Sequence, residues 1–147
     1  MTVVANSEAV LDSESRRPLR FGVAYGNWVW TDGLDDLVRV RAVDLRDLAR
    51  KVAAVRDDAP HAGVVVDIDV IIAADAPSAR GMVSDSGYPA GDTLLYVGTP
   101  AGLCGLIADI HTLGIADGAI LVPLDYEGVV KLVYDTVVPE LRAMAAV

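Results

Sequence analysis

Cysteine, histidine, aromatic residues and positive charge are all scarce in this chain of 147 residues. The single cysteine, Cys104, excludes an internal disulfide, and two histidines leave no Cys/His group with zinc spacing. Structural metal is therefore not expected. Aromatic residues make up 5% of the chain, and Tyr25, Trp28 and Trp30 form their one cluster in the sequence. Twelve basic against 21 acidic residues give a net charge of −9, which argues against nucleic acid, because a polyphosphate needs clustered Lys and Arg. The one basic run, RVRAVDLRDLARK, is interleaved with Asp and reads as a solvated helix face. No apolar run reaches the roughly 18–20 residues needed to span a bilayer. The start, MTVVANSEAVLDSESRRPLR, has no basic residues followed by an apolar core, so a secretory leader is not expected. Residues 1–20 are expected to form a polar, mobile extension ahead of one domain over 21–147, and the chain is expected to be cytoplasmic.

What is present is Val, Ala, Leu and Ile, in a chain that is 53% hydrophobic. That mixture suits strands covered by helices on both faces. RFGVAYG reads as a short strand, NWVWTDG as a second extended piece or structured loop, and LDDLVRVRA as a strand surfacing at Arg41. Asp44 is placed to cap a helix whose apolar stripe is Leu45, Leu48, Ala49, Val52 and Val55. That helix must stop near Asp57–Asp58, since a residue preceding proline is pushed out of the α region. GVVVDIDVIIA, nearly continuous in β-branched residues, reads as a central strand in which Asp67 and Asp69 share one face. The stretch from Asp75 to Asp92 reads as an irregular insertion with a short helix at APSARG. TLLYVGTP is a strand leading into a helix with Thr99 as cap and Pro100 at its first position, ended by Gly114. DGAILVPLD is the last strand. The final helix buries Val129, Val130, Leu132, Val133 and Val137, and Pro139 should kink or restart it.

Several residues have a chemical reading beside a structural one. GTPAG offers helix amides to a phosphate, but it has no Walker lysine and no GxGxxG spacing, so a plain Thr-Pro helix start is favoured. Asp67 and Asp69 form a potential carboxylate pair for acid/base work or metal. Lying mid-strand, they fit better in a structural role, bonding a helix terminus or a basic group such as Arg41. His61 and His111 are candidate general bases by residue type, but neither has a neighbouring nucleophile or carboxylate in sequence that would suggest a triad. Cys104 reads as a small core residue. Trp28 and Trp30 share strand parity, and either line a pocket or cover a sheet face.

Four segments, in order, resemble the C-terminal part of the luciferase-like monooxygenases: DLVRVRAVDLRDLARKVAAVR, VVVDIDVIIA, LLYVGTPAGLCGLIADIHTLGIADGAILVP and VVPELR. They cover about residues 36–143. The resemblance implies an α/β fold, a partial (β/α) TIM-type barrel of about four or five mainly parallel strands with outer helices. A complete barrel takes about 250 residues. It also implies FMN or the deazaflavin F420 as cofactor and a small organic substrate. The family's phosphate loop precedes the DLVRVRA-like strand, where this chain has RFGVAYGNWVWTDGLDD without a serine-rich anion site. No cofactor-contacting or catalytic residue carries over. By the rule that barrels place chemistry at the C-terminal strand ends, the pocket candidates are Arg41, Pro123 and Asp125, joined by Trp28 and Trp30. Two open sheet edges and an exposed apolar inner face point to a homodimer or to docking on a luciferase-like subunit. The alternative is a non-catalytic half-barrel that binds a partner subunit or a small ligand.

Overall fold

The computed structural model describes residues 17–33, 37–86, 93–124 and 127–146. Its centre is β4 (Gly63–Ile72), the β-branched run, which pairs with three other strands. On one side lies β6 (Gly118–Pro123), parallel to β4 in the register Val65↔Gly118 to Val70↔Pro123. The other edge of β4 is shared by two shorter strands. β3 (Leu37–Val40) covers its first half and β5 (Leu94–Gly98) its second, both parallel. β1 (Arg20–Tyr25) runs parallel to β6, and β2 (Trp28–Thr31) turns back on β1 through Gly26 as an antiparallel edge. The result is a curled half-barrel of mainly parallel strands with helices outside it, as the sequence implied.

The helices follow the local signals. α1 (Leu45–Asp58) starts on Asp44, whose carboxylate accepts the Asp47 amide at 2.7 Å, and buries Leu48 and Val52. α2 (Ala76–Ser86) is longer than the APSARG segment predicts. Asp75 caps it by accepting the Ser78 amide at 2.8 Å, and Ala79 is fully buried, so the cap and one apolar anchor carry a helix through a polar stretch. α3 (Pro100–Thr112) has Thr99 as cap and buries Leu103, Cys104, Ile107 and Ile110. Gly114 ends it in the left-handed region, at φ 73°. The last helical stretch comprises α4 (Glu127–Leu132), a π-helical turn at Val133–Val137 and α5 (Val138–Ala145). The Val138 amide reaches the Val133 carbonyl, five residues back. Pro139 has no amide to donate and would crowd the carbonyl four residues earlier, which explains why the helix widens just ahead of it.

Strand parity sorts the two faces. Phe21, Val23, Val64, Val66, Ile68, Val70, Ala119 and Leu121 point outward and meet α1, α3 and the last helical stretch in the main core. Ala24, Val65 and Ile120 point inward and form a second, smaller cluster with Leu37 and Val122. Val65 and Ile120 are wholly buried. The inner face is therefore largely filled, and the broad exposed apolar surface expected of an open half-barrel is confined to its margins, at Val29 and Leu95.

The RFGVAYGNWVWTDG segment supplies the two strands β1 and β2. It forms a hairpin beside the last strand, with β6 and β4 between it and β3. Asp117 explains that position. Buried just ahead of β6, its carboxylate accepts the Val64 amide at 2.8 Å and is paired with Arg56 of α1 at 3.1 Å and Arg17 at 3.5 Å. Its backbone amide donates to Val64 O at 2.8 Å and its carbonyl accepts Arg20 N at 2.9 Å. One residue thus fixes β1, β4, β6 and α1 at the N-terminal end of the sheet.

Asp117→Ala leaves a buried amide and two cations without their acceptor. We expect a loss of about 3 kcal/mol in urea unfolding, with the Arg56→Ala variant losing less; equal stability of Asp117→Ala and the parent would refute the role. A second expectation concerns acid. The Val43 amide and the nearby Lys51 and Arg50 hold Asp47 below the ordinary carboxylate value, and the Ser78 amide and hydroxyl do the same for Asp75. Because these folded-state values are depressed, their stabilisation is complete above the unfolded Asp pKa and is lost as pH falls through the lowered values. Thermal melts taken down a pH series should show α1 and α2 weakening in acid, and less so in Asp75→Asn, which has no charge to lose at that cap.

Candidate functional site

The C-terminal ends of the parallel strands form a concave rim, and the inward parity decides what lines it. Asp69 of β4 lies in one row with Val122 of β6 and Leu95 of β5. One step lower, Asp67 is opposite Ile120 and is 5% exposed. Arg39 of β3 reaches it in a two-pronged contact, Nε to Oδ1 at 2.9 Å and Nη2 to Oδ2 at 3.0 Å. Asp67 is therefore held by Arg39, not by Arg41, and its charge is balanced in place.

Arg41, two residues beyond Arg39, points to a different acceptor. Its Nε and Nη2 both donate to the hydroxyl of Thr93, at 3.0 and 2.6 Å. Thr93 stands one residue ahead of β5 and is 7% exposed. Arg41 and Thr93 thus meet where β3 ends and β5 begins along β4, opposite Asp67. Lys51 of α1 donates to the Arg41 carbonyl at 2.7 Å, anchoring the backbone there.

The remaining sequence candidates are dispersed. Trp28 and Trp30 lie on the helix-facing side of the hairpin. Trp30 packs on Phe21 with ring centroids 5.8 Å apart and carries the Arg142 guanidinium 5.2 Å above it. Trp28 is half exposed and tilts against Tyr134 at 6.3 Å. Pro123 ends β6, buried and opposite Val70, which faces the helices. Asp125 lies outside the described residues. Of the four that are described, Arg41 alone is at the inner rim. His61 is an exposed turn residue, while His111 Nε2 is 2.6 Å from the Arg17 carbonyl on the outer layer. Among the described residues no group of three or more His, Cys, Asp and Glu could hold a metal.

The GTPAG turn is occupied by its own strand. The Tyr96 hydroxyl donates to Thr99 O at 3.0 Å, and its ring tip fills the space where a Cβ on Gly98 or Gly102 would sit. The Gly102 amide is already taken by the Thr99 hydroxyl. The glycines serve close packing by tyrosine, and the plain helix start is what the geometry supports. Cys104 opens onto a groove of about 460 Å³ between α3 and α5, lined also by Ala101, Ala108, Thr136 and Met144. Burial and the negative Glu140 push its thiol upward, so it stays protonated and a poor nucleophile.

Sequence reasoning missed Arg39, Thr93 and Asp117. The DG pair ahead of the last strand was the available sign for Asp117, and the i, i+2 spacing from Arg41 was the sign for Arg39. Thr93 had none.

No family model and no curated protein sequence matches the chain. Solved structures do. The chain is similar to the long-chain alkane monooxygenase LadA, with a TM-score of 0.60 and 18% identity over 74% of this chain and 36% of that one. It is similar to the riboflavin lyase RcaE, solved with modified FMN and riboflavin, with a TM-score of 0.59 and 15% identity over 74% and 38%. DmoA from Hyphomicrobium sulfonivorans gives a TM-score of 0.58 and 13% identity over 72% and 37%. The chain spans a little over a third of the length of these proteins. With the parallel half-barrel, its outer helices and the ordered segments of residues 36–143 all in agreement, the fold of this chain is that of part of the luciferase-like monooxygenase barrel.

Proposed function

We propose that the chain is a flavin-dependent oxidoreductase domain of the monooxygenase type, acting on a small organic substrate at the C-terminal rim of its half-barrel. The observation that carries this reading is the parallel, curled sheet with one inward row of mixed character, Asp69 between Val122 and Leu95, at the end where such barrels work. FMN is favoured over F420, because one structural neighbour was solved with modified FMN.

The residues present suit a flat ring better than they suit a phosphate at the usual helix turn. Val122 and the partly exposed Leu95 give an apolar wall against which a ring can lie. Filled Val65 and Ile120 form a dry floor beneath it. The GTPAG turn is unsuited to a phosphate, since the Thr99 hydroxyl takes the Gly102 amide and the Tyr96 ring tip fills the space beside Gly98 and Gly102. When bound, flavin supplies the redox chemistry. The chain's own work is to exclude water at the floor, to hold Asp67 in place against Arg39, and to present Asp69 beside the bound ring. The open margins at Val29 of β2 and Leu95 of β5 support pairing with a second copy or with a luciferase-like subunit. No described helix is long and apolar enough to cross a membrane, and we place the chain in the cytoplasm.

A second reading is favoured by two observations. Since the GTPAG turn is closed and the described residues show no nucleophile–base pair, the half-barrel can serve as a non-catalytic module that binds a partner subunit or small ligand. Titration with FMN separates the two. Micromolar quenching of flavin fluorescence is expected; absence of quenching together with tight association to a full-length relative establishes the second reading instead. Asp67→Asn should lower stability by about 1–2 kcal/mol, discounted for the solvent that reaches Arg39, while FMN affinity stays unchanged. A variant as stable as the parent that no longer binds FMN would move Asp67 from scaffold to chemistry.

A further inference from the structure

We infer that Arg41, set by Thr93, is an oxyanion-binding group, and that it receives the acidic end of the ligand held at the rim: a phosphate, phosphonate, sulfonate or carboxylate. This deepens the proposed function, on which the identity of the ligand's remainder rests.

Most of the other described cations are paired with carboxylates, though Arg46, Arg80 and Arg142 are not. In a chain of net charge −9, Arg17, Arg20, Arg39, Arg50, Lys51, Arg56 and Lys131 each contact a carboxylate. Arg41 is held by a hydroxyl. Thr93 Oγ1 accepts from both Nε and Nη2, which fixes the guanidinium plane, and among the described residues no carboxylate pairs with it. Among the described residues the Nη1 edge makes no hydrogen bond or ion pair, and the residue is exposed, so an incoming anion meets donors already oriented.

Position adds to charge. Arg39 and Arg41 project from one side of β3 two residues apart, the strand repeat that places side chains on a common face. The lower of them is neutralised by Asp67, and Asp69 has a partner of its own. A negative ligand at the rim is thus attracted by Arg41 without displacing a native ion pair. The bland alternative is a latch joining the end of β3 to the start of β5. A latch needs the hydrogen bond, not a charge, and makes no prediction about anions.

The test uses the full chain and inorganic phosphate, followed through the Arg41 Nε–Hε resonance in ¹⁵N spectra. A saturable shift is expected that weakens with added chloride. In Arg41→Ala the affinity should fall at least tenfold, and in Arg41→Lys, which keeps the charge and loses the planar fork, severalfold. Arg46→Ala, on the exposed face of α1, should leave it unchanged. Absence of a saturable shift in the parent protein overturns the inference, whether or not any variant folds. So does equal affinity in folded Arg41→Ala.

Competition then identifies the source. Displacement of phosphate by FMN but not by riboflavin assigns the site to the cofactor's phosphate. Displacement by an alkylsulfonate or alkanoate but not by FMN assigns it to the substrate's acid group. Failure of all of these to compete refutes a ligand role at the rim. Because phosphate titration needs no flavin, the two ideas fail separately. Flavin binding with no anion response sinks the site alone, and an anion response with no flavin binding sinks the oxidoreductase reading alone.

Discussion

The half-barrel depends on one buried carboxylate at its closed end. Asp117 accepts the Val64 amide, pairs with two arginines, and contributes both of its backbone groups to neighbouring strands. A buried carboxylate is costly unless its oxygens are satisfied, and here backbone and guanidinium donors satisfy them. Their arrangement brings β1 beside β6 in parallel register. The opposite end is then left free to vary. The anchoring contacts of Asp117 are at the N-terminal end of the sheet, away from the C-terminal end to which the proposed function is assigned.

Much of this was legible because local rules and tertiary demands agree. Asp44, Thr99 and Gly114 sit at the helix ends where their chemistry predicts, and GVVVDIDVIIA is the central strand because β-branched side chains without polar alternation can be buried on both faces. The helix over Ala76–Ser86 was under-read, because a polar, serine-rich segment gives little periodicity and its single anchor, Ala79, is small. The place of β1 in the sheet was not legible at all. Strand order is set by contacts between segments distant in sequence, here Arg20 with Asp117 and Phe21 with Ala119.

The candidate site was less readable than the fold, for a related reason. Arg41 was singled out from its place at a strand end, whereas its partner Thr93 is 52 residues away and carries no motif. The tryptophans were conspicuous by rarity, yet parity in the hairpin turns them toward Phe21, Tyr134 and Arg142 on the outer layer. A charge on a strand shows which face it occupies only once register is known. Asp67 and Asp69 share a face, but Arg39 reaches the lower of them and gives the two carboxylates different surroundings.

The wide turn at Val133–Val137 has a geometric consequence for everything after it. A π turn holds one residue more than an α turn, so the helix beyond is rotated by about 100° relative to an uninterrupted one. That added rotation is what lets Val133, Val137, Val138 and Leu141 all reach the core. It also sets the azimuth at which Arg142 stands over Trp30. The closing segment is thus phased by residue number as much as by residue type. Deleting a single position there would keep the composition and swing the guanidinium away from the indole.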